Sequence, residues 1–414
     1  MSGEIVQIAW RNLWRNRRRT AITLTGIAFG GMLAIIFTGM GDSTYSKMID
    51  LAARLGGGHV TLQHPEMLDA PSLSKSVTGV KELQQIALQD PDARRTVARI
   101  SGQVMLSTAT RSYGAGFLAI DPGAESSQTL SLLDAVVEGR LFASARDPGI
   151  VLGEQLAENL KVTLGKRVVY TLTDKSGEMV TGLGRVSGII RTGAPSVDAG
   201  LCLLPIDTMR QALGYAPDEA TQVAVFLGDQ RASARAAVRL RQGMGAGVAV
   251  LAWFEAQPEL AGFISMKISG TRFFEIIILL LAAAGIFNTM FVSVLERTRE
   301  LGILSAIGFS PALLFGLIMC ESAWLALLGI VASALLTSVP YYLLATHGLD
   351  LSGLLAGQTS EVAGVALDPV LRVAIYPESA ALIAAAVVLA TLLSGLYPAW
   401  RAGRVAPVEV IQLV

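Results

Sequence analysis

The chain has 414 residues, of which 52% are hydrophobic and 16% charged, and its mean hydropathy of +0.53 exceeds that of ordinary soluble domains. Its 33 basic and 33 acidic residues balance, so no electrostatic footprint for nucleic acid is present. Two cysteines supply neither a disulfide framework nor a metal cluster. The composition fits a membrane protein with a sizeable polar part.

Residues 1–19 read as an amphipathic segment in which Arg11, Arg15, Arg17, Arg18 and Arg19 face a single acid, Glu4. Such an arginine excess beside a span stays in the cytoplasm. Residues 20–43 form the expected first span, its uncharged run Thr20–Gly41 being too long for a signal-peptide core and lacking an A-x-A site. Within it, "GIAFG" sets Gly26 and Gly30 four apart, a spacing that lets helix backbones approach. Glycine is also common in membrane helices without such a role.

Residues 44–272 are long enough for one or two folded domains. The runs "GHVTLQ", "RISGQVMLST", "AGFLAID", "GIVLG", "RVVYTLT", "GRVSGII" and "LCLLP" predict strands. "VKELQQIALQ", "EQLAENLKV" and "IDTMRQALG" have helical spacing, which gives an α+β domain. "TDKSGEM" predicts a hairpin turn at Gly177. At the two ends, "DSTYSKMIDLAARLG" and "FEAQPELAGFISMKISGTRFF" continue the neighbouring spans as helices and would make a stalk.

Three more spans are expected at 273–295, 312–344 and 379–400. Between them lie a cytoplasmic segment, 296–311, and an extracytoplasmic loop, 345–378, and a cytoplasmic tail, 401–414, closes the chain. Both termini are therefore expected inside and the 44–272 insert outside. Asn288 and Glu321 are costly in lipid and should face protein or water. Ser310 and Pro311 have the residue types of a helix cap and first position.

No G-x-x-x-x-G-K-[ST] occurs in the sequence, and His59 and His64 lack metal-ligand spacing. The segment "LERTRELGILSAIGFSP", 295–311, has a charged end, with Glu296, Arg297, Arg299 and Glu300, and an apolar side, with Leu301, Ile303, Leu304 and Ile307. It reads either as a solvated turn or as a docking surface. Two function classes stay open: an ATP-driven permease, or a membrane receptor with an extracytoplasmic sensing domain.

Taken in order, "AWRNLWRNRRRTAIT", "LAIDPGAE", "VVEGRLF", "GIVLGEQLAENLKVTLGKRV", "GIIRTGAPSVDAGLCLLP", "LERTRELGILSAIGFSP" and "YPAWRAGRVAPVEVI" resemble the FtsX/MacB-type ABC transporter permeases, most nearly the LolC/LolE-type proteins of the lipoprotein-releasing system. The resemblance implies an α-helical membrane protein of four transmembrane helices carrying a large extracytoplasmic α+β domain, MacB-like, on a helical stalk, in the bacterial inner membrane. It implies mechanotransmission, with release of lipoproteins toward the outer membrane as the main activity and MacB-like export of amphiphilic small molecules or peptides as the alternative. The implied partners are cytoplasmic ABC ATPase subunits, a second permease protomer, a lipoprotein or lipid substrate, and a periplasmic carrier. For the last, "TDKSGEM" is short beside the extended LolC-type hook. Under the resemblance this chain is no enzyme and holds no cofactor, ATP and Mg belonging to the partner. ATPase coupling falls to Glu296, Arg297, Arg299, Glu300, Leu301, Gly302, Ile303, Leu304, Ile307 and Gly308, and substrate contact to Ile36, Phe37, Met40, Phe273, Phe274 and Ile277.

Overall fold

A computed structural model describes residues 2–245, 247–353, 361–366 and 368–404, with side chains from Ile5 onward. The tail expected over 401–414 lies outside these residues from Val405, as do 354–360 and 367 of the expected 345–378 loop. The chain divides into two compact units, residues 1–44, 266–351 and 370–414 in one, and 45–265 with 352–369 in the other.

The first unit is helical. Among the described residues four helices are long and apolar enough to cross a membrane: Arg17–Leu55, Pro258–Glu296, Pro311–Thr346 and Pro377–Ala402, here spans 1 to 4. They are accompanied by the N-terminal helix Ser2–Arg15 and by a short helix, Thr298–Ala306, here the elbow. Spans 1 and 2 have 39 residues each, about 58 Å at helical rise and roughly twice the hydrocarbon thickness. The helical segments predicted at both ends of the insert are thus continuations of these two helices, interrupted only before Pro258. Ser310 caps span 3, its Oγ accepting from the Leu313 N–H at 3.3 Å, and Pro311 opens the helix.

Small residues set the packing of the bundle. A Cβ on Gly31 would run into Ser333, one on Gly329 into Ile27, and one on Gly395 into Ser322. Ser333 Oγ donates to Gly329 O at 2.8 Å and to Ile27 O across the helix pair at 3.3 Å, and Ser394 Oγ reaches Ala283 O at 3.0 Å. Close backbone approach and hydroxyl bonds are what hold helices together where lipid removes the hydrophobic incentive. Of the predicted glycine pair, Gly30 makes ordinary contact with Ala282 and Ile278, whereas Gly26 faces open space. The tight site is Gly31, because the neighbour that fixes it is 302 positions away (333 − 31) and the four-residue spacing carries no information about it. Span 2 is the least covered, with 11% of its apolar window buried against 44% for span 3. Asn288 is exposed there.

The second unit is built on ten strands: β1 (Val60–Gln63), β2 (Ala93–Ser107), β3 (Ser112–Ile120), β4 (Val136–Gly139), β5 (Gly149–Gly153), β6 (Arg167–Thr173), β7 (Met179–Ile190), β8 (Leu201–Pro205), β9 (Gln222–Leu227) and β10 (Ala249–Ala252). Their order is β10-β1-β9-β2-β3-β8-β5-β7-β4, with β6 pairing β2 and β7. Pairings are antiparallel except β3 with β8 and β5 with β7. Alternation fills one face with Ile100, Val104 and Leu106 from β2 and Val168, Tyr170 and Leu172 from β6. The predicted helices cover that face: Val80, Leu83 and Ala87; Leu156, Ala157 and Leu160; Ile206, Met209 and Leu213. Each fully buried Leu or Ile contributes about 1.5–3 kcal/mol over exposure. The "TDKSGEM" turn joins β6 to β7 as a hairpin, Thr173 opposite Met179, with Gly177 at φ 91°, a left-handed conformation that glycine adopts without strain. Strands β4, β9 and β10 and the helix Ser233–Gly243 were not expected from the sequence.

Candidate functional site

The elbow begins where span 2 stops being helical. Arg297 leaves helical geometry at φ −101°, ψ 12°, and the next turn restarts at Thr298. At the other end Gly308 lies at φ 110°, followed by the Ser310 cap of span 3. Leu301 and Gly302 are buried and Leu304 is half-buried against the bundle, while Ile303 and Ile307, one turn apart, point outward at 51% and 74% exposure. The outward pair is an unpartnered apolar face on a charged element.

A polar network anchors the inward side. Glu321, only 4% exposed inside span 3, accepts at Oε1 from Arg297 Nη1 at 3.0 Å and from Asn12 Nδ2 of the N-terminal helix at 2.8 Å. Arg297 Nε also bonds Glu300 at 3.2 Å. Glu300 takes a second bond from Arg15, and Glu296 one from Arg19 at the start of span 1. The Arg15 guanidinium, followed by Arg297, holds the Glu300 carboxyl below its usual range. All of these side chains but Glu300 border a polar cavity of about 260 Å³ together with Thr20, Thr23 and Ser293. The N-terminal helix is seated on span 3 by Trp10, whose ring lies 4.8 Å from that of Trp324, and by Trp324 Nε1 donating to Val6 O at 3.3 Å. The network thus joins the N-terminal helix, spans 1, 2 and 3 and, through Glu300, the elbow.

Of the residues selected from the sequence, Glu296, Arg297 and Glu300 enter this network, Arg299 is exposed on the elbow, and Gly308 supplies the break. Asn12, Arg15 and Arg19 were not singled out as their partners. The one signal for them was Glu321 itself, a lone acid in an apolar run that needs a donor from elsewhere. At the opposite end of spans 1 and 2, Thr38 donates to Glu275, which sets Phe37 level with Phe273 and Phe274. All three phenylalanines and Ile277 are exposed, while Ile36 and Met40 are half-buried. Phe273 and Phe274 meet edge to face at 6.0 Å, and among the described residues Phe37 has no ring contact with either. Among the described residues no cluster of three or more metal-ligating side chains occurs.

The model of the MacB-like periplasmic core domain matches residues 20–242, and that of the FtsX-like permease C-terminal region matches 272–407. The chain belongs to the FtsX/MacB-type ABC transporter permease family. As a member of it, the chain is a multi-pass membrane protein whose sheet domain is the large extracytoplasmic part. It is 26% identical over 321 residues to the macrolide export ATP-binding/permease protein MacB of Nitrosomonas europaea, covering 74% of this chain and 46% of that one. With the lipoprotein-releasing system transmembrane protein LolC of Xylella fastidiosa it shares 25% over 276 residues, 64% of each. The solved periplasmic region of MacB from Actinobacillus actinomycetemcomitans aligns at 13% identity and a TM-score of 0.35, over 54% of this chain and 98% of that one. The chain thus spans under two thirds of the length of these curated relatives. MacB-type and LolC-type relatives of this permease match alike, so the narrower leaning toward LolC/LolE drawn from sequence motifs is not singled out.

Proposed function

We propose that this permease is the transmembrane part of an ATP-driven transporter that exports amphiphilic small molecules or peptides by mechanotransmission. The observation that carries the reading is the elbow, whose Glu300 pairs with Arg15 of the N-terminal helix and with Arg297, itself paired to Glu321 of span 3, and which presents Ile303 and Ile307 outward. Cytoplasmic ABC ATPase subunits dock on that face, bringing ATP and Mg, and both chain termini lie on the same side. A second permease protomer covers span 2 and the exposed Asn288. Export is favoured as the activity because relatives named for macrolide and for pyoverdine export match over 74% to 99% of this chain.

Release of lipoproteins is the second reading, favoured by the LolC likeness. Either cargo would enter sideways from lipid at Phe37, Met40, Phe273 and Phe274, because an acyl chain loses about 0.8 kcal/mol per CH₂ brought into water. Glu300→Lys, which reverses the charge facing Arg15 and Arg297, is expected to uncouple ATP hydrolysis from export while the protein stays in the membrane. Coupled hydrolysis in that variant would return the elbow to a solvated turn. Photo-crosslinkers at Met40 and Phe274 distinguish the cargoes, capturing small amphiphile or lipoprotein. Single cysteines at Ser176 and Ser305, with Cys202 and Cys320 removed, should label from opposite sides, and labelling from one side would end the topology.

A further inference from the structure

Arg99, on β2, is wholly buried, yet its guanidinium donates to two separate parts of the fold. Nε and Nη2 take both oxygens of Glu125 at 2.8 and 3.1 Å, Nη2 also takes Thr129 O at 2.6 Å, and Nη1 takes Gly56 O. The cation sits 5.7 Å from the centre of the Phe226 ring on β9. Both partners of the ion pair are essentially inaccessible, at 0% and 1%. Gly56 directly follows the last residue of the 39-residue helix that begins as span 1. Its carbonyl is one of the acceptors a helix C-terminus leaves unpaired, where a cation is favoured.

The loop that supplies Glu125 grips the same helix end a second time. Arg54 Nη1 donates to Ser127 O at 3.0 Å, and Thr129 Oγ1 donates to Glu125 Oε2 at 2.5 Å, closing the loop on itself. The helix is also tied to the sheet at His59, whose Nδ1 accepts from Leu227 N at 3.1 Å and whose Nε2 then donates to Asp50 at 2.9 Å. Immediately after the helix, Gly58 at φ 82° lies against the Val225 backbone, where a side chain would not fit. A buried arginine–glutamate pair is seldom retained for stability alone, since well-packed apolar residues do as well. What the planar fork adds is fixed direction to several acceptors at once, which an ammonium lacks.

We propose that Arg99 is a positioning residue for transport: with Glu125 it locks the end of the span 1 helix to the central strands, so that movement of that helix is delivered to the sheet rather than absorbed in the Gly56–Gly58 turn. This rests on the mechanotransmission reading for its purpose, but not for its test. Full-length protein in lipid nanodiscs, lacking Cys202 and Cys320, is spin-labelled at Ser46 on the helix and Met179 on the sheet. Electron–electron resonance should give one narrow distance distribution, and Arg99→Lys should broaden it about twofold with the melting transition retained. Glu125→Gln, a milder change, should broaden it to a lesser extent. An unchanged width in both variants overturns the proposal. Loss of the melting transition in both also overturns it, by making the pair a requirement for folding. The width needs neither ATP nor cargo, so failure of ATP-driven export by the wild-type chain would sink the proposed function and leave the joint standing.

Discussion

The helical unit and the sheet unit are held together by different physics. The sheet domain excludes water from a continuous apolar core in which Leu62, Ile100, Leu106, Ile150 and Leu152 have no accessible surface. The bundle keeps Leu335, Val339, Leu280 and Leu281 largely exposed and relies on Gly31, Gly329, Gly395 and the hydroxyls of Ser333 and Ser394. The reason is the solvent: apolar side chains gain by leaving water, but little by leaving lipid for another helix. The same substitution therefore has opposite weight in the two units.

The sharpest way to break this comparison is a pair of truncations. Leu106→Ala in the sheet should cost about 2–5 kcal/mol through lost burial and a residual cavity, whereas Leu335→Ala on span 3 should change stability by no more than about 0.5 kcal/mol. Thermal melts of the full chain in one detergent would read both, and equal losses would mean the bundle is held like a soluble core. Next in size is a pair of additions. Gly31→Val drives a side chain into Ser333 and should cost about 1–3 kcal/mol, while Gly26→Val meets open space and should leave helix packing intact. Cross-linking between cysteines on spans 1 and 3 would report the separation.

The smallest effect is electrostatic and belongs to the sheet domain. Hydrogen bonds from Arg239 hold the Asp90 carboxyl below its ordinary range. A depressed folded pKa gives stability that is complete above the unfolded value near 4 and is lost as pH falls through the folded value. With Arg239 partly solvated, the pair is worth about 0.5–1 kcal/mol. Arg239→Gln should lower the melting point at pH 7, and the gap to wild type should close below about pH 4.

How far each unit could be read from sequence follows the same division. The spans were legible because long uncharged runs have one physical explanation, and strands such as "GIVLG" and "LCLLP" because their β-rich runs match burial. Strand β4 escaped because three of its four residues are exposed, and β10 because Ala249 to Ala252 hardly favours a strand over a helix. The elbow's charge was visible, but its meaning was not. Glu321 and Arg297 are 24 positions apart and Glu300 and Arg15 are 285 apart, so their pairing exists only once the helices have packed.

The elbow has nine residues, a rod of about 13 Å, and it is pinned at each end by a residue outside helical geometry, Arg297 and Gly308. A strut jointed at both ends carries thrust along its axis but passes on almost no torque. Under the proposed docking, a push on Ile303 and Ile307 would tilt or slide spans 2 and 3 rather than twist either about its own axis.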